Sequence, residues 1–306
     1  MKRLSCLILV IVALTSAPVT SGQPAGAVPT TAGGRSAAYR HHQPLDGDDQ
    51  AIKRMRDSGF TTFIVWDLHV HGNGDLYYND TKVVSDGVYV GPAGWWRGLM
   101  ELTRQPTSVT RVEFAIGEAG SADWQSIDEL MKTEAGKREL RSNFATLLTT
   151  TKVDVINNDD ESHYDVDSTV AFAKLLQGVG YRSFAITPYQ DMAYWKEVID
   201  RLGPLVDRVY LQMYDGGATN NLKEWAVYLG RPIDPGMRTH SYAPSCTQGD
   251  GPDRIREQMA AWNTPRGTVP GGFLFAYDDM VDCEDHGNAH TPVSDYAKAV
   301  NETTGS

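Results

Sequence analysis

The sequence predicts an α/β protein folded as a single (β/α)8 TIM barrel. Short runs rich in β-branched and aromatic residues alternate with amphipathic stretches from Tyr39 to Val300, eight of each. A glycine-rich phosphate fingerprint, the mark of an open doubly wound sheet, does not occur, and no internal repeat is visible. Eight strand–helix pairs in one chain of this length fit a closed parallel barrel better than an open sheet.

Ahead of the barrel, Lys2 and Arg3 precede an apolar run from Leu4 to Leu14, and small or polar residues follow from Thr15 to Gly22. That order is the signature of a secretory signal peptide, expected over residues 1–22. Residues 23–38 are Ala-, Pro-, Thr- and Gly-rich and are expected to form a disordered linker. The folded domain is expected over 39–306.

The first strand, Ala38–His42, is the weakest by pattern. Thr61–Trp66, Arg111–Ile116, Val153–Asn158, Ser183–Thr187 and Arg208–Met213 follow as clear strands. An indistinct seventh is expected near Arg238–Ser241 and an eighth at Gly272–Tyr277. Helical periodicity fills the intervals at Asp49–Asp57, Trp95–Thr103, Lys137–Thr149, Ser168–Gly178, Ala193–Leu202, Leu222–Leu229, Pro252–Trp262 and Val293–Val300. Gly180 and Gly203 stand where helix stop residues belong, and Asp167-Ser168 can cap the helix after the fourth strand.

Composition narrows the function. With 306 residues, 41% of them apolar, the chain can bury one sizeable core. Its formal charge is −11, and would be −13 without the leader's two cations, which argues against nucleic acid and anionic membranes as partners. After the leader no apolar stretch reaches the roughly 18 residues that a membrane span needs. Secretion and a monomer are expected, with no cofactor. Cys246 and Cys283 remain once Cys6 leaves with the leader, and in an exported protein two cysteines are expected to pair.

Barrel chemistry sits where strands end, and the fourth strand ends unusually. It reads Val153-Asp154-Val155-Ile156-Asn157-Asn158-Asp159-Asp160-Glu161, an apolar run turning acidic. Side chains alternate along a strand, so Asn157, Asp159 and Glu161 share one face and Asp160 the other. If that face is the inner one, two carboxylates meet at the mouth, and one of them must hold its proton more tightly. Glu161, nearest the mouth, is the candidate general acid.

The motif resembles the D-x-x-D-x-D-x-E of glycoside hydrolase family 18, the chitinases and endo-β-N-acetylglucosaminidases, with Asp154, Asn157, Asp159 and Glu161 in its four positions. The sixth strand ends in Gln212-Met213-Tyr214-Asp215, similar to that family's Met-Tyr-Asp signature. The resemblance implies a hydrolase acting on a glycan that contains N-acetylglucosamine, which the leader pattern would make a secreted one. Retention would be substrate-assisted, with the 2-acetamido oxygen attacking the anomeric carbon. Glu161 would be acid and base, Asp159 would orient the acetamido group, and Tyr214 would donate to its oxygen. Asn157, Gln212 and Asp215 would line the same subsite, with Trp66 and Tyr189 offering ring faces at the ends of strands two and five. Three departures are plain. Asn157 replaces a carboxylate, and Ala115-Ile116-Gly117-Glu118 keeps one glycine of the family's S-x-G-G. At the eighth strand Ala276 aligns with the Trp that floors the family's sugar subsite, with Tyr277 adjacent as a substitute ring.

Two other readings compete. A barrel that has lost catalysis could bind glycans as a lectin-like module. Alternatively, Asp67-Leu68-His69-Val70-His71 resembles the H-x-H of metal-dependent barrel hydrolases, with His163, His240, His286 and His290 available as further ligands. Among the remaining aromatics, Tyr77, Tyr78, Trp95 and Tyr194 lie near strand ends, while Trp96 and Trp195 at helical positions are expected in the core. Asn79-Asp80-Thr81 and Asn301-Glu302-Thr303 fit the glycosylation acceptor pattern.

Overall fold

The computed structural model describes residues 34–41, 48–263 and 269–304; the expected leader, 1–22, and the linker as far as residue 33 lie outside them. In chain order the strands are β1 (Arg35–Arg40), β2 (Thr62–Val65), β3 (Leu68–Val70), β4 (Leu76–Tyr78), β5 (Thr81–Ser85), β6 (Val88–Tyr89), β7 (Arg111–Ile116), β8 (Val155–Asn158), β9 (Ser183–Ile186), β10 (Val206–Gln212), β11 (Asp234–Arg238) and β12 (Gly271–Phe275). The helices are α1 (Asp49–Asp57), α2 (Ala93–Leu102), α3 (Asp123–Met131), α4 (Glu134–Thr151), α5 (Val166–Val179), α6 (Met192–Leu202), α7 (Leu222–Leu229), α8 (Pro252–Trp262), α9 (Tyr277–His286) and α10 (Val293–Asn301).

Eight parallel strands close the barrel in the order β1, β2, β7, β8, β9, β10, β11 and β12, with β12 pairing back onto β1. The chain is thus a (β/α)8 barrel. Its interior is filled from alternate residues of each strand: Ala37 and Tyr39, Ile64, Ala115, Val155, Ala185, Tyr210 and Phe273. The opposite residues pack outward against the helices, where Phe63, Phe114, Ile156, Phe184 and Leu211 are buried. Side chains near the caps close the orphan N–H groups at helix starts. Thr133 accepts from Gly136 N at the head of α4, Asp191 from Tyr194 N at α6 and Asn221 from Lys223 N and Glu224 N at α7, each worth about 1 kcal/mol. Gly180 and Gly203 end α5 and α6 as expected. The cap of α5 is Asp165, which accepts from Ser168 N at 2.8 Å, rather than the Asp167-Ser168 pair.

Four features differ from the sequence reading. The first strand begins at Arg35, so residues 35–38 belong to the barrel and not to a linker. A polar guanidinium hid this, because its function is to make a bidentate pair with Asp234, 1% exposed, across the barrel end at 2.8 and 3.0 Å. The seventh strand is Asp234–Arg238, ahead of the expected Arg238–Ser241. Pro235 and Gly236 disguise it, and Gly236 is required because a Cβ there would lie 2.1 Å from the Phe273 ring. Between β2 and α2 the chain makes an antiparallel meander, β3 to β6, held against α3 and α4, and the helices α3 and α9 are additional. Finally, Trp195 is fully buried as expected but Trp96 is not. Trp95 takes the core position, and Trp96 lies half-buried with the Arg97 guanidinium 5.3 Å from its ring.

Cys246 and Cys283 form a disulfide that ties the loop after β11 to α9. Among the described residues no helix is long and apolar enough to cross a membrane. The two glycosylation-pattern asparagines are structural, with the Asn79 amide donating to His41 O at 2.9 Å and the Asn301 amide to Gly59 O at 3.0 Å.

Candidate active site

Strand parity puts Asn157 and Asp159 on the inner face of β8 and its continuation, as the alternation requires. Asn157 is fully buried and Asp159 is 5% exposed, while Glu161 is half-buried beyond them at the mouth. Asp160 faces the other way and serves the loop, its carboxylate accepting from Ser162 N, His163 N and Tyr164 N at 2.7–3.0 Å. Asp154 sits at the opposite end of the strand, in a bidentate pair with Arg182.

The two carboxylates are bridged by one side chain. Gln212, at the end of β10, donates from Nε2 to Glu161 Oε1 at 2.8 Å and to Asp159 Oδ1 at 3.2 Å, using both hydrogens of one amide. Burial pushes both carboxyls above the ordinary carboxylate range. For Asp159 the negative charge of Glu161 adds to burial, and hydrogen bonds from Tyr39 and Gln212 oppose it. For Glu161 the Gln212 bond opposes burial, and Glu118, Asp160 and Asp215 add further upward pressure. Glu118, the departure noted at the third strand, is thus close enough to act on Glu161.

Gly117 makes this approach possible. It has φ +107°, and a Cβ there would lie 2.5 Å from Asp159 O and 2.8 Å from Trp124 Nε1. The one glycine kept at the end of β7 is the one that lets the two strand ends meet.

Aromatic rings wall the mouth. Trp66, held by a bond from Nε1 to Gly117 O at 3.1 Å, packs edge-on against Phe275, and Tyr214 stacks on Phe275 with centroids 5.8 Å apart and planes 20° apart. Tyr39 touches both Trp66 and Phe275. Burial raises the Tyr214 hydroxyl far above its usual range, and among the described residues it has no hydrogen-bond partner. Tyr189 packs against the turn after Tyr214, where a Cβ on Gly216 would meet its ring at 2.9 Å. Asp215 is exposed and paired with Arg238 Nη1 at 2.7 Å, so its carboxylate is held at the rim.

Tyr277 does not join this group. The chain leaves β12 at Phe275 and enters α9 at Tyr277, which ends the strand alternation there. The Tyr277 ring is 4% exposed and lies among Phe60 and Phe63 between barrel and helices. The ring that β12 brings to the mouth is Phe275, one residue before the aligned Ala276. Parity counted from Phe273 would have found it. Sequence reading also passed over Tyr39, Thr187 and Glu113, all on inner faces, because single polar residues in strands carry no motif.

The H-x-H pair is split. His71 stacks on Tyr77 with centroids 4.0 Å apart, while His69 lies between two carboxylates, Nδ1 3.1 Å from Asp123 and Nε2 3.3 Å from Asp67. Asp67, His69 and Asp123 are the one group among the described residues with ligand atoms near enough to share a cation, all within 4.8 Å. Both ring nitrogens already face a carboxylate, so the set forms an imidazolium clamp. The hydrogen bond to Asp123 raises the His69 pKa to about 9, and burial pushes Asp67 up to about 8. His163 and His286 pair with Asp128 and Asp282, His290 contacts Glu284 O and His240 packs against Gly251, which disperses the other histidines.

No family model matches the sequence, and no curated protein matches it significantly. Among solved structures, a fungal endo-β-N-acetylglucosaminidase from glycosyl hydrolase family 18 superposes with a TM-score of 0.66 at 12% identity, over 87% of this chain and 98% of that one. The catalytic domain of a family 18 chitinase from the fern Peteris ryukyuensis gives 0.56 at 16% identity, over 86% and 97%. A chitinase from Bacteroides thetaiotaomicron gives 0.59 at 12% identity, over 88% and 95%. At these identities the likeness is one of fold, and it spans nearly the whole of each of those chains.

Proposed function

We propose that this chain is a divergent member of glycoside hydrolase family 18, an exported enzyme that cleaves a glycan containing N-acetylglucosamine with retention of configuration. The observation that carries the reading is the Gln212 bridge joining Asp159 and Glu161 at the barrel mouth, with the Tyr214 hydroxyl unpaired beside them.

In this mechanism Glu161, whose hold on a proton burial strengthens, gives that proton to the glycosidic oxygen. As that bond breaks, the acetamido carbonyl oxygen of the same sugar closes on the anomeric carbon, so no protein nucleophile is needed. Ionised Asp159 accepts the acetamido N–H and stabilises the positive charge that spreads over the ring formed, while Tyr214 donates to the acetamido oxygen. Water then enters from the vacated side and its oxygen bonds to the anomeric carbon as the bond from the acetamido oxygen breaks, while its proton goes to Glu161, which restores both the acid and the acetamido group. Phe275 and Trp66 supply the apolar floor for the sugar, with Tyr189 on the wall. Gln212 holds the pair in register, and Asn157 and Asp215 act from beneath and from the rim.

The leader pattern and the disulfide support export. A lectin-like barrel is the alternative that Asn157 and the loss of a Trp at Ala276 favour, and the Phe275 ring at the mouth, with Asp159 and Glu161 both present, supports the enzyme instead. Glu161→Gln should abolish turnover of chitin oligomers and N-glycans, with unchanged circular dichroism and thermal midpoint. A variant that retains wild-type turnover would end the assignment, and a wild type that binds these glycans without cleaving any would favour the lectin.

A further inference from the structure

A continuous line of hydrogen bonds runs under the site, and counting its hydrogens assigns a direction to each. Glu113, fully buried in the barrel, accepts from Arg111 Nε at 2.5 Å, from Tyr210 Oη at 2.8 Å and from Asn157 Nδ2 at 3.0 Å. A carboxylate surrounded by donors must receive the NH2 of Asn157, so the carbonyl side of that amide points the other way. There it accepts from Thr187 Oγ1 at 2.7 Å. Thr187 has one hydroxyl hydrogen and has now spent it, so its contact with Tyr39 Oη at 2.9 Å can only be one in which Tyr39 donates. Tyr39 Oη also lies 3.2 Å from Asp159 Oδ2, and it too has one hydrogen. At its other oxygen, Oδ1, Asp159 accepts from Gln212.

Two arrangements satisfy these constraints. When Asp159 is neutral, its proton sits on Oδ2, because Oδ1 is receiving the Gln212 hydrogen. Asp159 then donates to Tyr39, Tyr39 to Thr187, Thr187 to Asn157 and Asn157 to Glu113, one unbroken direction. When Asp159 is ionised, the Tyr39 hydrogen turns to Oδ2 and Thr187 is left without an incoming donor.

We propose that the Tyr39 hydroxyl is a two-position donor that follows the charge of Asp159, and that Thr187, polarised by Asn157 and Glu113, is its alternative acceptor. Tyr39 and Thr187 are positioning residues, acting on the reaction through Asp159. The arrangement gives Asn157 a use: an acid at that position would share a proton with Asp159, whereas here a hydroxyl rotor responds to Asp159 and the carboxylate is one strand away and one layer deeper, at Glu113. For its catalytic consequence the inference rests on the proposed glycosidase reading. One proton divides between Asp159 and Glu161, and a Tyr39 hydrogen turned toward ionised Asp159 favours the form in which Glu161 holds it.

The titratable and charged groups around Asp159 are Tyr39 from β1, Asp67 after β2, Glu113 below on β7, Glu161 on its own loop and Tyr214 after β10. Just after β9 stands Thr187, which does not titrate.

The test is the midpoint of Asp159 titration, read from its carboxyl carbon-13 resonance in protein labelled at aspartate and assigned with Asp159→Asn. Thr187→Val removes the alternative acceptor and penalises only the neutral state, so the midpoint should fall by about one pH unit, the effect of one hydrogen bond. Thr187→Ser should restore it, and Thr187→Ala serves if the valine variant does not fold. Tyr39→Phe removes the donor to the ionised state and the acceptor of the neutral one, and because the bond to the charged carboxylate is the stronger, the midpoint should rise, by up to about one pH unit. Opposite shifts support the rotor; an unmoved midpoint in the threonine variants, or a shift in the same direction as Tyr39→Phe, overturns it. This readout needs no turnover. Opposite shifts in a protein that cleaves no glycan would sink the glycosidase reading alone, and unmoved midpoints in an enzyme silenced by Glu161→Gln would sink the rotor alone.

Discussion

Replacing Gly117 by Ala tests whether the contact between the ends of β7 and β8 positions the carboxylates. The added methyl must solve two problems at once. At φ +107° an L residue is strained, costing roughly 1–3 kcal/mol. Its Cβ would also stand 2.5 Å from Asp159 O and 2.8 Å from Trp124 Nε1, well inside contact distance, with a backbone atom and a buried tryptophan as the obstacles. Relief requires moving one of them, and overpacking of this kind adds roughly 1–3 kcal/mol. A loss of about 2–6 kcal/mol should lower the thermal midpoint by roughly 5–20 °C for a domain of this size. Because the nearer obstacle is the backbone of Asp159, the displacement falls on the site, and an error of about 1 Å can cost roughly 100-fold in rate. Thermal and urea unfolding followed by circular dichroism measure the first effect, and kcat on a chitin oligomer the second. A variant within about 2 °C of wild type would refute the steric argument. Normal stability with unaltered kcat would also detach Gly117 from the chemistry.

Other expectations follow from the same contacts. His69→Gln should destabilise most in acid: the His69 pKa is raised from 6.5 to about 9, so its contribution is complete below pH 6.5 and is lost as pH rises toward 9. Thermal midpoints of variant and wild type should therefore converge between those values, and a constant gap would mean that the imidazolium is not the stabilising form. Reducing the Cys246–Cys283 disulfide, which closes a 37-residue separation, should remove about 3–4 kcal/mol by the chain-entropy account, read from urea midpoints with and without reductant. Phe275→Ala should lower kcat/KM on N-acetylglucosamine oligomers by roughly 10–100-fold, the worth of one apolar ring contact, while Tyr277→Phe leaves it unchanged. An unchanged kcat/KM in Phe275→Ala would remove Phe275 from the floor.

What the sequence made legible was periodic. The inner parity of Asn157, Asp159 and Glu161 follows from alternation along an apolar strand, and β10 ends visibly in Gln212-Met213-Tyr214. The illegible parts are those where one residue answers to a distant partner. Arg35 looks like linker until Asp234 is seen across the barrel, and Pro235-Gly236 looks like a turn until the Phe273 ring occupies the space over the glycine. Ala276 stands at the floor position of the motif that the eighth strand resembles, yet alternation from Phe273 selects Phe275. The strands β3 to β6 are two to five residues long, too short for a period to register. Glu113, Thr187 and Tyr39 are ordinary residues in ordinary strands, and only their shared interior makes them a set.

The barrel closes through β1 and β12, with Arg35 opposite Gly271 and Ala38 opposite Leu274. These partners lie near opposite ends of the chain, so the seam cannot form until almost all of the polypeptide has been delivered. Loop closure over such a span is slow relative to local helix formation. Every strand before β12 leaves the cylinder open, and Arg35, at the start of β1, waits for Asp234 until β11 has followed it. The same seam is a point of attack after folding, since prying β12 from β1 undoes the enclosure that keeps Asp159 dry.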